Sequence, residues 1–345
     1  MVPFAGFEMP VQYANGALKE YQAVRDGEAG IFDISHMGQV RVSGPGALAF
    51  LQHVTTNDVS KLVDGQVQYS ALLNESGTFI DDITTYRLSE SEYYLCINAA
   101  NRHKDVTHLR AEAADFDVKV EDESDDTTLI ALQGAKAQAI LQETTSADLE
   151  SIAYYRFDRI DFCGGTAIVS RTGYTGEDGF ELYLPNTAAV TVWQSLLDKG
   201  AIPIGLAARD MLRTEMGYAL YGHEISDQVT PIEAGLMWIT KLDKGEFIGR
   251  EAVLVRKESG ALQRLIGLRL TGRGIPREHY PVVCDGSVVG EITSGMHSPL
   301  AGCGVGLAYV EAEVADSENL AVDIRGRHIV AERVKPPFVR SNVRR

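Results

Sequence analysis

No run of apolar residues in this 345-residue chain approaches the roughly 18 that a membrane-spanning helix needs, so a helical membrane protein is excluded. Cysteine is scarce. Cys96, Cys163, Cys284 and Cys303 stand singly, with no C-x-x-C pair, which argues against a zinc ribbon, a redox motif or a disulfide scaffold. They are expected as reduced, mostly buried thiols in a reducing compartment. Positive charge is in deficit: 32 Lys and Arg against 48 Asp and Glu leave a net charge of -16. A surface of that sign repels a phosphate backbone, so nucleic acid is not an expected partner. The opening MVPFAGFEMP has neither a basic flank nor a long apolar core. No signal peptide is expected there, and the mature chain should begin near Met1 and stay inside the cell or an organelle.

The standard catalytic signatures are missing too. There is no G-x-x-x-x-G-K-[ST] phosphate loop, no H-E-x-x-H zinc helix and no G-x-S-x-G nucleophile elbow. Gly302-Cys303-Gly304-Val305-Gly306 superficially matches a dinucleotide loop, but it leads into a strand pattern instead of opening a helix. Neither an internal repeat nor a low-complexity tract is evident.

What is present is an ordinary globular composition, 45% hydrophobic and 23% charged, in a chain long enough for two or three domains. Short runs rich in Val, Ile, Tyr and Thr alternate with helical patterns, which argues for an α+β chain without a regular βαβ repeat. Runs 67–73 and 79–87 read as a hairpin turning at Asn74-Glu75-Ser76-Gly77, and the acidic stretch 121–126 reads as a solvated loop. After Lys257 the texture changes. Glu258-Ser259-Gly260 reads as a linker, followed by closely spaced strands near 264–270, 281–284, 288–293, 305–311 and 320–334, which predict a C-terminal β-barrel or sandwich. The expected division is 1–257 and 258–345.

Four segments could carry chemistry. Asp81 and Asp82 are adjacent acids in a strand pattern, so one side chain faces what the sheet covers and the other points away. They fit an exposed sheet edge, or a catalytic carboxylate on a rigid strand. The run 171–181, RTGYTGEDGFE, fits a solvated glycine-rich connection. It equally fits a loop whose glycines admit a planar ligand, with Tyr174 covering a ring face and an acid receiving ring N–H donors. Residues 205–221 read as a helix with Arg209 and Arg213 on one face, either at a site or solvated and paired with Asp210 and Glu215. His36 reads as a hydrogen-bonded structural histidine, since no second metal ligand sits at a suitable spacing.

Together, MVPFAGFEMPVQY at 1–13, FDISHMG at 32–38, Asp81-Asp82, SRTGYTGEDGFE at 170–181, GLAARDMLRTE at 205–215, TPIEAGL at 230–236 and FIGRE at 247–251 make a colinear series. On these motifs the chain resembles the aminomethyltransferase family of the glycine cleavage system, the T-proteins. The resemblance implies a three-domain cloverleaf: a folate-binding region over 1–257, built from two intertwined α+β domains, and an antiparallel β-barrel over 258–345. It also implies transfer of the aminomethyl group from the lipoyl arm of H-protein to tetrahydrofolate, giving methylenetetrahydrofolate and ammonia, with no metal. By the same resemblance Asp82 is the catalytic carboxylate, Glu181 and Asn98 bind the pterin edge, and Met37, Tyr69, Tyr174 and Tyr218 line the pocket. Arg209 and Arg277 match family arginines at the site and near the channel mouth. The implied location is the cytoplasm, or the mitochondrial matrix in a eukaryote.

These residue types suit that chemistry. One carboxylate can accept both the amino group and the ring N–H of a pterin, and a fixed anion stabilises the positive charge that develops on the transferred carbon. Three departures stand out. Family members usually start some fifteen or more residues upstream, so a late or incomplete start is expected; Ser298-Pro299-Leu300-Ala301 replaces S-P-T-L, and Val339-Arg340-Ser341-Asn342 diverges. Two rivals share the fold. One is a stand-alone folate-dependent demethylase. The other is a non-catalytic iron-sulfur assembly factor, whose K-G-C-Y-x-G-Q-E segment is absent at Thr172–Asp178.

Overall fold

The computed structural model describes residues 1–162 and 165–344; Cys163, expected as a reduced thiol, lies outside the described residues. The chain divides into two compact units, both discontinuous in sequence. The first takes Met1–Ser70, Asp82–Asp210 and the segment after Ser341, and the second takes Ala71–Asp81 and Met211–Ser341.

In the first unit a six-stranded sheet runs in the order Phe157–Phe162, Gly165–Ser170, Gly179–Pro185, Thr127–Gln133, Gly30–Asp33, Ile202–Pro203. Its neighbours are antiparallel apart from the last pair. The central strand, TTLIALQ, is buried at nearly every position, which explains its continuous apolar run in place of an alternating one. Leu132, Val169, Phe180 and Leu182 pack with Leu141 of helix Ala137–Gln142 and with Val192 and Leu196 of helix Ala189–Asp198. A five-stranded sheet has the order Gln66–Leu73, Phe79–Ser89, Glu92–Ile97, Gly38–Ser43, Lys119–Asp122. Its first two strands form the expected hairpin, with Gly77 supplying the left-handed turn residue (φ 75°).

The acidic stretch after that sheet is not simply solvated. Asp122 lies in its edge strand, Arg102 bonds to Asp122 and Asp125, and Arg41 grips Glu123 through both oxygens. These partners lie too far away in sequence for local pattern to expose them.

In the second unit six antiparallel strands close a barrel in the order Gln263–Leu270, Cys303–Glu311, Ser287–Ser298, Pro281–Cys284, Leu320–Ile324, Arg327–Val334. Its centre holds Leu268, Val282, Ile292, Val310 and Val322. The single strand read over 320–334 is two strands, because Arg325 and Gly326 both take positive φ (56° and 80°) and turn the chain. Glu258 and Ser259 are not linker; they complete helix Arg250–Ser259, which Gly260 ends. The 302–306 glycines serve the barrel: a Cβ at Gly304 would fall 2.7 Å from the Gly274 carbonyl oxygen. The helix read over 205–221 ends at Met216, because Gly217 turns left-handed (φ 68°) against the Pro336 ring.

Candidate active site

Asp82 is the most tightly specified polar group of the expected set. Strand alternation splits the acid pair as predicted: Asp81 is fully buried while Asp82 is only partly so, and the two do not form an exposed edge. The Tyr69 hydroxyl donates to Asp82 Oδ2 at 2.8 Å, and the Asn98 amide donates to Oδ1 at 2.8 Å and to the Asp82 carbonyl at 3.1 Å. Burial, then the Asp82 charge, push the Tyr69 phenol well above its ordinary value, so it remains a donor. A carboxylate with a donor on each oxygen is a fixed anion. Asn98, expected at the pterin edge, commits its amide nitrogen to this clamp.

The glycine-rich loop is not a solvated connection. Asp178 accepts two bonds from the buried Arg171 (2.9 and 2.6 Å), and Glu177 pairs with Arg25 at 2.7 Å with both side chains buried. Thr175 donates to Gln133 Oε1 at 2.8 Å. At Gly173 the close neighbour is Gln133, whose Oε1 would lie 1.9 Å from a Cβ there. The loop is therefore pinned around Tyr174, whose ring lies 5.2 Å from the Arg209 guanidinium carbon, within cation–π range. Tyr174 also lies within electrostatic reach of the Tyr69 phenol.

Glu181 follows that loop on strand Gly179–Pro185. Burial raises its carboxyl above the usual range, while a hydrogen bond from Thr172 and the charge of Arg209 oppose the rise. Arg209 acts on His36 as well: burial, then that charge, hold the imidazole down to about 3. His36 is buried and edge-on to Phe4, 5.4 Å between ring centroids, and its Nδ1 has no hydrogen-bond partner among the described residues. It is neutral, as a structural histidine should be, but it lacks the expected bond at that atom. Met37 follows it, with its carbonyl accepting from Gln39 at 2.7 Å.

His36 has a consequence for stability. The unfolded chain takes up this proton near its ordinary value of 6.5 while the folded chain refuses it, so stability falls as pH drops below that value. From pH 6 to 5 the loss is about 1 kcal/mol from this one group. Thermal melts of His36→Gln across that range should show a shallower decline than wild type; equal slopes refute the assignment.

The first unit thus brings together Asp82, Tyr69, Asn98, Tyr174, Arg209, Glu181 and, beside His36, Met37. Tyr218 and Arg277 belong to the second unit. Tyr218 follows the helix end, with its backbone bonded to Arg213, and Arg277 is exposed. Arg213 is not on a solvated face: it is buried, 2.9 Å from the buried Glu224, and Glu215 is buried beneath a bond from Ser298.

Residue pattern missed two features here. The Tyr183 hydroxyl donates to Tyr86 at 2.8 Å, and burial together with the Glu181 charge raises both phenols. Arg171 donates to Asp178, Gln138 and the Ile152 carbonyl with its guanidinium 5.0 Å from the Phe180 ring. Its place at the head of the run 171–181 is the sequence signal for it. Among the described residues, Cys96 and Cys284 are buried thiols and Cys303 a half-buried one. Among the described residues, no group of three His, Cys, Asp or Glu is placed to hold a metal ion and no helix is long and apolar enough to cross a membrane.

Comparison with known proteins agrees with this architecture. Residues 1–244 match the family described as the GCVT N-terminal domain, and residues 263–340 the glycine cleavage T-protein C-terminal barrel domain. An aminomethyltransferase from Chloroherpeton thalassium is 47% identical over 348 aligned positions, covering 99% of this chain and 95% of its own. One from Exiguobacterium sibiricum is 46% identical, covering 99% and 94%. The crystal structure of glycine cleavage system aminomethyltransferase T from Bartonella henselae superposes with a TM-score of 0.94 at 33% identity, covering 100% of this chain and 95% of that one. With both family regions matched in order and relatives aligned nearly end to end, the chain belongs to the glycine cleavage T-protein family of aminomethyltransferases, and the demethylase and iron-sulfur assembly alternatives are not favoured.

Proposed function

We propose that this chain transfers the aminomethyl carbon from the lipoyl arm of an H-protein to tetrahydrofolate, releasing ammonia and leaving methylenetetrahydrofolate and dihydrolipoyl protein. The observation that carries this reading is the Asp82 carboxylate, clamped by Tyr69 and Asn98 in the same unit as the Glu181, Arg209 and Tyr174 group. The donor set suits a reduced pterin: Glu181 offers a recessed acceptor to adjacent ring N–H groups, and Tyr174 offers an aromatic face. As an anion Asp82 orients the attacking folate amine and stabilises the positive charge on the carbon in transit, and it takes up the amine proton only once the new carbon–nitrogen bond has formed. Met37 and Tyr69, on this reading, line the pocket within the first unit. In this reading 1–257 is the folate-binding region, in two α+β domains, 258–345 is the barrel domain, and the cytoplasm or a mitochondrial matrix is the setting. Incubation with aminomethyl-lipoyl H-protein and tetrahydrofolate should release ammonia well above the uncatalysed rate; no release from folded protein refutes the reading.

The H-protein is proposed to dock on basic residues of the last third of the chain. Several of them are already engaged: Arg264 and Arg333 pair with Asp316, and Arg250 pairs with Glu246 and Glu251. Arg273, Arg277, Arg325 and Arg327 are exposed and remain as the candidate surface for an acidic partner. The Debye length shrinks from about 10 Å at 0.1 M salt to about 3 Å at 1 M, so KM for H-protein should climb with salt while KM for folate stays comparatively flat. Arg277→Glu should reproduce part of that climb. An H-protein KM insensitive to salt removes the docking surface.

A further inference from the structure

The segment after the barrel returns to the first unit and closes a circuit of polar bonds around the glycine-rich loop. The Asn342 backbone N–H donates to the Gly176 carbonyl at 2.8 Å, and its side-chain amide donates to both Glu177 carboxylate oxygens at 3.2 and 3.0 Å. Two residues later Arg344 binds Glu150 through both oxygens. Glu150 also accepts from Gln138 (2.6 Å), Gln138 from Arg171 (2.6 Å), and Arg171 donates to Asp178, the residue after Glu177. The circuit thus begins and ends on the same short segment.

Inside it lies Tyr174, two residues before Gly176. Gly176 takes a positive φ (76°), which glycine adopts without strain and other residues do not. Arg25 anchors Glu177 as well and also donates to the Thr175 carbonyl at 2.7 Å. Arg25 and Asn342 thus meet on the Glu177 carboxylate, and Asn342 also binds the preceding carbonyl, on the C-terminal side of Tyr174.

We infer that Asn342 is a positioning residue for the folate site: it holds the 173–178 loop so that the Tyr174 ring stays against Arg209 and presents its face to the pterin. The inference rests on the functional reading above and adds a residue to it. Asn342 touches neither folate nor the reacting carbon.

Three proteins and one background test this. Asn342→Ala removes the side-chain bonds and keeps the backbone one, while Asn342→Asp sets a carboxylate against Glu177. Titration with a reduced-folate analogue should show about five- to tenfold weaker binding for Asn342→Ala and a larger loss for Asn342→Asp. At saturating folate, kcat should stay within about twofold of wild type, because no interaction peculiar to the transition state is lost. In a Tyr174→Ala background the same Asn342→Ala change should cost almost nothing more, since the ring it positions is gone. Wild-type affinity in Asn342→Ala overturns the inference. So does an equal loss in the Tyr174→Ala background, which would mark a general loosening of the fold. Failure of the wild-type protein to bind the analogue is a different result, and it overturns the site reading itself.

Discussion

Asp82→Asn should lower kcat by about two orders of magnitude or more while leaving folate affinity nearly unchanged. The substitution keeps the side-chain shape on strand Phe79–Ser89. The Tyr69 hydroxyl can rotate to accept from the new amide, so the pocket need not reorganise. What disappears is a full negative charge beside a carbon that becomes positive only as it is transferred, and an interaction made only in the transition state is lost from kcat and not from substrate binding. Asp81→Asn is the internal control. That side chain is fully buried on the other face of the strand, so its replacement should register in the melting temperature instead of kcat. Equal kcat losses in the two variants would contradict the assignment.

Glu181→Ala should weaken binding of a folate analogue by roughly 2–4 kcal/mol, about thirtyfold to several hundredfold, since two ring donors lose their acceptor in a partly dry pocket. Calorimetric titration measures this directly, and an unchanged dissociation constant removes Glu181 from the pterin site. The raised carboxyl adds a second signature with a definite sign. The folded state holds this proton more tightly than the unfolded chain does, so the contribution of Glu181 to stability is intact below the ordinary glutamate value. It is lost as pH rises through the raised one. Glu181→Gln, which cannot ionise, should therefore melt higher than wild type at pH 7 and lose that advantage at pH 4, while binding folate more weakly at neutral pH. Such a trade of stability for function marks a residue retained for its ligand.

Much of this was legible in residue pattern, and what escaped had a common cause. The hairpin at Asn74–Gly77 and the barrel strands announce themselves through local alternation and turn chemistry. So does the opposite facing of Asp81 and Asp82, which needs only the twofold period of a strand. The glycine-rich loop stands out as a motif, but its neighbours do not. Its acids look solvated until Arg25 and Asn342, far away in sequence, are seen to hold Glu177. The glycine at 173 has Gln133 against it, which the motif does not show. Arg213 likewise appears to share a face with Arg209, yet it is buried against Glu224. Helical spacing gives direction around an axis and says nothing about which distant partner lies there. The helix over Arg250–Ser259 was hidden for another reason: Glu-Ser-Gly has the composition of a linker, but only its glycine acts as one.

The division of the first unit around the second sets an order of events on the ribosome. Residues through Asp210, the hairpin tip included, emerge before the barrel, whereas Asn342 emerges only after it. At the usual 5–20 residues per second, the loop carrying Tyr174 waits on the order of ten seconds or more for its last fastening. A nascent chain halted within the barrel would hold every strand of the six-stranded sheet and still lack that fastening. On the proposed reading translation therefore fastens the folate site last, and proteolysis of stalled chains should cut the Tyr174 loop faster than in the finished protein.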